Sequence, residues 1–345
     1  MHLAGKRRAT ERCARYALLI VCSLLVLVSS GCQKTESVEA RSGQYLGQDP
    51  PGLQPEVFAP GLISHGFHEL SPAFSPKGDE AFYVTSDRRG NYTIIHVTND
   101  GDGWGEPEIA SFSGRYPDAS PCFSADGNKL HFCSRRPVSG GSAPEEDFDI
   151  WIVERKDDSW SEPYNLGSPI NDERDVRDVT VSENGTVYFS ANRKNGSILD
   201  LYVSRIEDGK YTAPETIGGD ISTDFNESGP HVAADERYLL FQSNRPGGFG
   251  GNDLYICFRQ ADGPWSEPVN LGATVNSASH DYRPRVTPDG KYLFFTSGRP
   301  ADSGSMERTT YEELLKSYRH PQSGYGTLFW MEAGIIDEFR PEESM

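Results

Sequence analysis

The chain has 345 residues, 36% of them hydrophobic and 24% charged, a formal net charge of −18 and a mean hydropathy of −0.57. Those values exclude a multi-span membrane protein, a collagen and a disulfide miniprotein. Gly 35 and Pro 23 are too many turn-formers for a helix bundle, so a turn-rich β protein is expected.

At the N-terminus, Lys6, Arg7, Arg8, Arg12 and Arg15 precede an apolar run from Ala17 to Val28. A bilayer span needs roughly 20 apolar residues, so this shorter run reads as the core of a secretory signal peptide over residues 1–31. Ser29-Ser30-Gly31-Cys32 then resembles the bacterial lipoprotein signal. The resemblance implies cleavage after Gly31, acylation of Cys32, and an exported chain that meets the membrane through its lipid anchor only. Gln33 implies the outer membrane if the cell is Gram-negative. Ser29 stands where that signal carries Leu, and ordinary signal cleavage near Gly31 is the alternative. Without residues 1–31 the chain keeps 28 basic and 50 acidic residues, net −22. Such a surface repels phosphate backbones, so no nucleic-acid partner is expected.

Residues 33–53 lack apolar periodicity and read, with the lipidated Cys32, as a flexible tether. A repeat follows. SPAFSPKGDEAFYVTSDR recurs as SPCFSADGNKLHFCSRR, DVTVSENGTVYFSANR, GPHVAADERYLLFQSNR and RPRVTPDGKYLFFTSGR. Aligned on Ser75, Ser124, Ser182, Ala233 and Thr287, the spacings are 49, 58, 51 and 54 residues. That period suits a four-stranded propeller blade. Phe74, Phe123, Val181, Val232 and Val286 mark the first strand. Lys77-Gly78, Asp126-Gly127, Asn184-Gly185 and Asp289-Gly290 mark a turn, with the poorer Asp235-Glu236 in the fourth repeat.

In the second strand, Phe82/Val84, Leu130/Phe132, Val187/Phe189, Leu239/Phe241 and Leu293/Phe295 alternate and are expected to pack on the next blade. DIWIV, DLYVS and DLYIC begin third strands. W-x-E-P at Trp104, Trp160 and Trp265 marks the fourth. The fifth repeat lacks a fourth strand, whereas PEVFAPGLIS at Pro55–Ser64 precedes the first and resembles one. An all-β, five-bladed propeller of four-stranded antiparallel blades over residues 54–341 is therefore expected, its last blade closed by the N-terminal strand, with a tail at 342–345. Six blades are the alternative. Between Arg299 and Thr327 an insertion with helical spacing near 305–320 reads as a lid, a docking helix or packing filler.

The repeat stretch, followed by D-I-Y-like strands, resembles the TolB-type, WD-repeat-like β-propeller repeat across nearly the whole exported chain. The resemblance implies the propeller fold and is weak on function, because propellers carry many unrelated sites.

Four groups of residues are singled out. Arg88, Arg136, Arg193, Arg245 and Arg299 follow the second strands, and Glu69, Asp118, Glu227 and Asp281 stand six residues before the markers. They either crown a ligand site or brace blade to blade; bracing is preferred, because a brace follows the repeat and a site breaks it. His68-Glu69 and His280-Asp281 hold equivalent positions in repeats one and five, neighbours in a closed ring. They offer a divalent cation site, against a reading as exposed rim histidines; no other cofactor is indicated. Two residues before each marker stand Ala73, Cys122, Thr180, His231 and Arg285; if they border the channel, His231 and Arg285 form a polar patch for a small ligand. Cys122 and Cys133 flank a turn and read either as a disulfide across the hairpin or as free thiols.

No G-x-S-x-G elbow, H-E-x-x-H, P-loop or dinucleotide fingerprint is present. The expected function is a non-catalytic, lipid-anchored envelope propeller that binds a protein or a glycan. The alternative is a carbohydrate-active hydrolase or lyase using rim carboxylates.

Overall fold

The computed structural model describes residues 42–341, except 88, 158, 173, 194–195, 261–262, 301–309, 311, 313–321 and 323–324. The signal peptide, Cys32, Arg88, the tail and almost all of the insertion near 305–320 lie outside the described residues. Among the described residues no helix is long and apolar enough to cross a membrane.

Five antiparallel sheets, each with a principal path of four strands, form the blades. The innermost strands are His68–Phe74, Asp118–Phe123, Val176–Val181, Glu227–Val232 and Asp281–Val286. They touch one another in that order, and the fifth touches the first. The second strands are Glu80–Ser86, Lys129–Ser134, Val187–Asn192, Tyr238–Ser243 and Tyr292–Ser297. The third are Tyr92–Thr98, Asp149–Lys156, Leu199–Ser204, Asp253–Phe258 and Thr327–Glu332. Short outer strands follow the three W-x-E-P segments, Glu108–Ile109, Tyr164–Asn165 and Val269–Asn270, and Glu215–Thr216 follows the weaker Tyr211–Pro214 stretch in blade 3. The fifth outer strand is Glu56–Val57, from the other end of the chain, with Glu56 opposite Trp330 and Val57 opposite Phe329. This closure leaves no blade without its outer strand. It confirms the five-bladed ring and its N-terminal fastening.

Five apolar clusters fill the five seams between blades. Their composition corrects the expected facing of the second strands. Leu130 and Phe132 pack toward blade 1, Val187 and Phe189 toward blade 2, and Leu239/Phe241 and Leu293/Phe295 likewise toward the preceding blade. Register makes Ala81 and Tyr83 their equivalents in blade 1, since Ala81 pairs Phe74 as Leu130 pairs Phe123. Phe82 and Val84, one residue out of phase, face blade 2. A single-residue shift exchanges the two faces of a strand.

Residues 42–53 also depart from expectation. Tyr45 and Leu46 are buried in the seam between blades 5 and 1, among Phe58, Phe74, Phe294 and Trp330. The indole N–H of Trp104 donates to Gly43 O at 2.8 Å. Gln48 donates to Val57 O and accepts from Ala59 N. Two apolar residues suffice to dock this segment; isolated apolar residues without periodicity gave no sequence signal for it.

The turns follow the glycines, with φ of +72° at Gly78 and +71° at Gly127. In blade 4 Glu236 itself adopts φ +60°. Its carboxylate accepts from Ser182 Oγ at 2.8 Å and Arg259 Nη2 at 2.9 Å, and these bonds offset the strain of a left-handed non-glycine residue.

Candidate functional site

Every innermost strand carries a bulge at the same place. The register breaks between Leu70 and Ala73, Ala119 and Cys122, Arg177 and Val179, Ser228 and His231, and Tyr282 and Arg285. The residues in left-handed conformation there are Ser71, Ser120, Asp178, Gly229 and Arg283, with φ between +47° and +61°. Such a bulge re-aims side chains. Here it sends them across the axis. Ser120 Oγ of blade 2 donates to Asp178 Oδ1 of blade 3 at 2.7 Å. Arg283 of blade 5 pairs with the same carboxylate at 3.0 Å, although blade 4 lies between their blades. The channel therefore has a polar waist. Burial alone would raise the Asp178 carboxyl, yet Arg283, Ser120 and Arg285 hold it below its ordinary range. Gly229 completes the ring because a Cβ there would stand 2.6 Å from Gln242 Oε1.

Beyond the waist, toward the strand-one-to-strand-two turns, lies a cavity of about 540 Å³. Ala73, Cys122, Thr180, His231 and Arg285 all line it, so the residues two before each marker do border the channel. The Val286 N–H donates to His231 Nε2 at 3.2 Å, which places the ring proton on Nδ1. Burial first, and Arg285 second, push the His231 pKa down to about 3. Arg285 is 6% exposed. Its Nη1 donates to Pro230 O at 2.8 Å and Pro284 O at 3.0 Å, and its Nη2 reaches Val179 O at 3.3 Å. Its Nε is buried and has no partner among the described residues. Burial lowers its pKa from the ordinary guanidinium value. The Cys122 thiol lies 4.0 Å from Thr180 Oγ1, and burial raises its pKa.

The opposite rim holds the arginine braces, and they differ from expectation in what they join. Arg136 Nη2 donates to Asp118 Oδ1 at 2.8 Å and to Phe112 O at 2.9 Å. Arg245 binds Glu227 at 3.2 Å and Ile221 O at 3.0 Å, and Arg299 binds Asp281 at 2.9 Å and also Val275 O. Each pair is internal to one blade and ties it to the segment arriving from the preceding blade. Arg193, with Val176 where an acid would stand, turns instead to Asp200 at 2.5 Å and to Thr223 O. Direct blade-to-blade ties occur near the W-x-E-P segments. Arg155 donates to Glu80 at 2.6 Å and stacks on Trp160 at 4.2 Å; Arg259 donates to Tyr188 Oη at 3.0 Å and stacks on Trp265 at 3.8 Å.

The four residues read as a cation site do not converge. His68 Nε2 bonds Tyr282 Oη at 2.6 Å and its Nδ1 bonds Ser86 Oγ at 3.0 Å; burial, then Arg283, push its pKa down to about 4. Glu69 Oε1 accepts from His65 N at 3.1 Å, and Asp281 is held by Arg299, Ser277 and Ser297. His280 packs over Gly251, where a Cβ would meet the ring at 2.2 Å. Among the described residues no group of three or more potential ligands is placed to hold a metal ion.

The disulfide reading is corrected too. Cys122, Cys133 and Cys257 are free thiols. Cys122 stands opposite His131 and Cys133 opposite Ala119, because the hairpin register that pairs Phe123 with Leu130 puts the two thiols on different rungs and the bulge carries Cys133 one residue further from Cys122. Cys122 borders the cavity, whereas Cys133 packs in the seam between blades 2 and 3. Sequence reading missed the waist residues Ser71, Ser120, Asp178 and Arg283. The available signal was the change of residue type at one repeat position, Ser, Ser, Asp, Gly, Arg; a straight-strand reading gives that position no special direction.

No protein-family model and no curated protein matches the chain. Similar solved structures include a putative TolB from Agrobacterium tumefaciens, 18% identical over 70% of this chain and 73% of that one, with a TM-score of 0.44. TolB from Acinetobacter baumannii is 14% identical over 77% of this chain and 57% of that one, TM-score 0.45. A gluconolactonase from Xanthomonas campestris is 14% identical over 76% of this chain and 83% of that one, TM-score 0.46. Likeness at this level concerns the fold and not the site.

Proposed function

We infer that the chain is a non-catalytic binding module of the bacterial envelope, lipid-anchored through Cys32, that takes part of a protein or glycan into the mouth of its channel. The observation that carries this reading is the asymmetry of the mouth. Five equivalent positions hold five different residues, Ala73, Cys122, Thr180, His231 and Arg285, around one cavity of about 540 Å³. That volume lies in the usual range for ligand pockets, about 300–1,000 Å³. A glycosidase reading needs two carboxylates free to face a sugar. Asp118, Glu227 and Asp281 are instead committed to guanidiniums at the other rim.

The test is binding of envelope glycans and peptides to a soluble chain lacking residues 1–32, beside an Ala73→Trp variant whose indole fills the mouth. Retention by the parent without turnover, lost in the variant, is expected. Turnover of a polysaccharide that is lost on removing one carboxylate would replace this reading with the hydrolase one. The anchor is tested separately: Cys32→Ser is expected to release the chain from the membrane fraction, and continued membrane association would contradict the lipid link.

A further inference from the structure

The floor of the channel mouth carries more positive charge than its surroundings balance. Arg283 and Arg285 enter it from blade 5, and Asp178 is the carboxylate that faces them. Arg283 is paired with Asp178, while Arg285 has no ion-pair partner among the described residues. The acids at the outer lip do not answer it. Asp235 is engaged with Arg237 at 3.4 Å and Asp289 with Lys291 at 3.0 Å, which leaves Glu183 at the edge. A buried charge without a counter-charge costs several kcal/mol. Here it occurs in a chain of net charge −18, where carboxylates are plentiful.

The unfilled part of Arg285 has a definite geometry. Both good backbone bonds are made by Nη1, to Pro230 O and Pro284 O. Nη2 makes one long bond of 3.3 Å to Val179 O, and among the described residues its second N–H and the buried Nε–H have no partner. The Nε–H and the near N–H of Nη2 form the edge of a guanidinium that grips two oxygens of a planar anion. Two further donors share the cavity. The ring proton of His231 sits on Nδ1, since Nε2 accepts from Val286 N. Thr180 lies within reach of the Cys122 thiol and keeps its own hydroxyl proton to donate. Pro72, Pro121, Phe123, Tyr238 and Phe294 complete an apolar wall.

We propose that this pocket recognises the carboxylate of an organic acid, bound bidentately by Arg285 with hydrogen bonds from His231 and Thr180, and with its carbon skeleton against the apolar wall. A monoanion matches the single uncompensated charge of two guanidiniums against one carboxylate. The proposal rests on the reading of the mouth as a binding site and names its ligand chemistry. Two sources supply such a group, a sugar acid and the C-terminal end of a peptide.

Calorimetric titration of the soluble chain lacking residues 1–32 separates them. The probes are D-glucuronate against D-glucose, acetyl-alanine against acetyl-alanine amide, and inorganic phosphate at constant ionic strength. At least one acid is expected to bind about tenfold or more tighter than its neutral counterpart, the size of a charge-assisted pair. The acid that does so identifies the source. Arg285→Gln is expected to reduce that preference to under about twofold, the scale of a lost charge-assisted bond. Thr180→Val, which keeps shape and charge, is expected to weaken the acid alone, and it decides the matter if Arg285→Gln does not fold.

Acids and neutral probes binding alike overturn the carboxylate proposal and leave the binding module standing. A preference that survives Arg285→Gln, phosphate binding tighter than either acid, or no binding by any probe also overturns it; the envelope-ligand experiment above still decides the broader reading by itself.

Discussion

The two ends of the propeller channel use arginine in opposite ways. At the crown, Arg136, Arg245 and Arg299 repeat one geometry, each on the acid at the start of its blade. At the mouth, Arg285 has no counterpart in any other repeat and no carboxylate partner among the described residues. Those three pairs satisfy their charges internally, whereas the buried Nε–H of Arg285 at the mouth has no partner among the described residues. Residues that follow the repeat hold the ring together, and residues that break it on the innermost strands offer something to a ligand.

The cost of removing each arginine's partner tests this contrast. Asp118→Ala strands a buried guanidinium, so a loss of about 3–5 kcal/mol is expected in urea unfolding. A loss below about 1 kcal/mol, the scale of an exposed pair, would remove the structural role of the crown. In the crown loop of blade 4, Gly250 leaves no room for a side chain, because a Cβ would stand 1.9 Å from Ser279 O. Gly250→Ala is expected to cost about 1–3 kcal/mol through backbone displacement, read by the same unfolding curve.

Proton linkage separates the two ends further. Glu69 is the crown acid whose Oε2 has no partner among the described residues, and burial raises its pKa from 4.5 to about 8. A raised carboxyl favours the fold at low pH, so its contribution is lost as pH rises from 4.5 toward 8. Glu69→Gln is expected to flatten that part of the stability profile. His231 works the other way: its pKa is lowered from 6.5 to about 3, so stability is lost as pH falls below 6.5. A His231→Gln variant is expected to be less sensitive to acid over that window; an unchanged slope in either variant would detach the group from folding. The smallest effect is expected at the surface, where the exposed Arg205–Glu215 pair should contribute less than about 1 kcal/mol, measured by a double-mutant cycle.

Much of the ring was legible because the code for a hairpin is local. Asp126-Gly127 or Asp289-Gly290 sets a turn within its own repeat, and PEVFAPGLIS declared the missing strand by similarity to later copies. The channel-bordering position was legible by the same counting, and it delivered His231 and Arg285 to one cavity. What failed needed information across strands. Phe82 and Val84 of the first repeat face the next blade as expected, but they stand one position out of phase with the pairs aligned to them, and period-two alternation sends the pairs of the other four repeats into the preceding seam. The bulge that carries Arg283 to Asp178 is a backbone event without its own residue type, since Ser, Asp, Gly and Arg all adopt it here. The docking of Tyr45 and Leu46 depends on a groove that exists only after blades 5 and 1 meet.

Cys122 gives the most direct test that the mouth is where the partner sits. Its thiol borders the cavity, while Cys133 and Cys257 are buried in seams and serve as internal references. The rate of Cys122 alkylation by iodoacetamide would be followed by mass spectrometry, with the chain free and then saturated with a glycan or peptide it retains. A marked slowing at Cys122 alone is predicted; an unchanged rate at saturation would place the partner elsewhere and contradict the account.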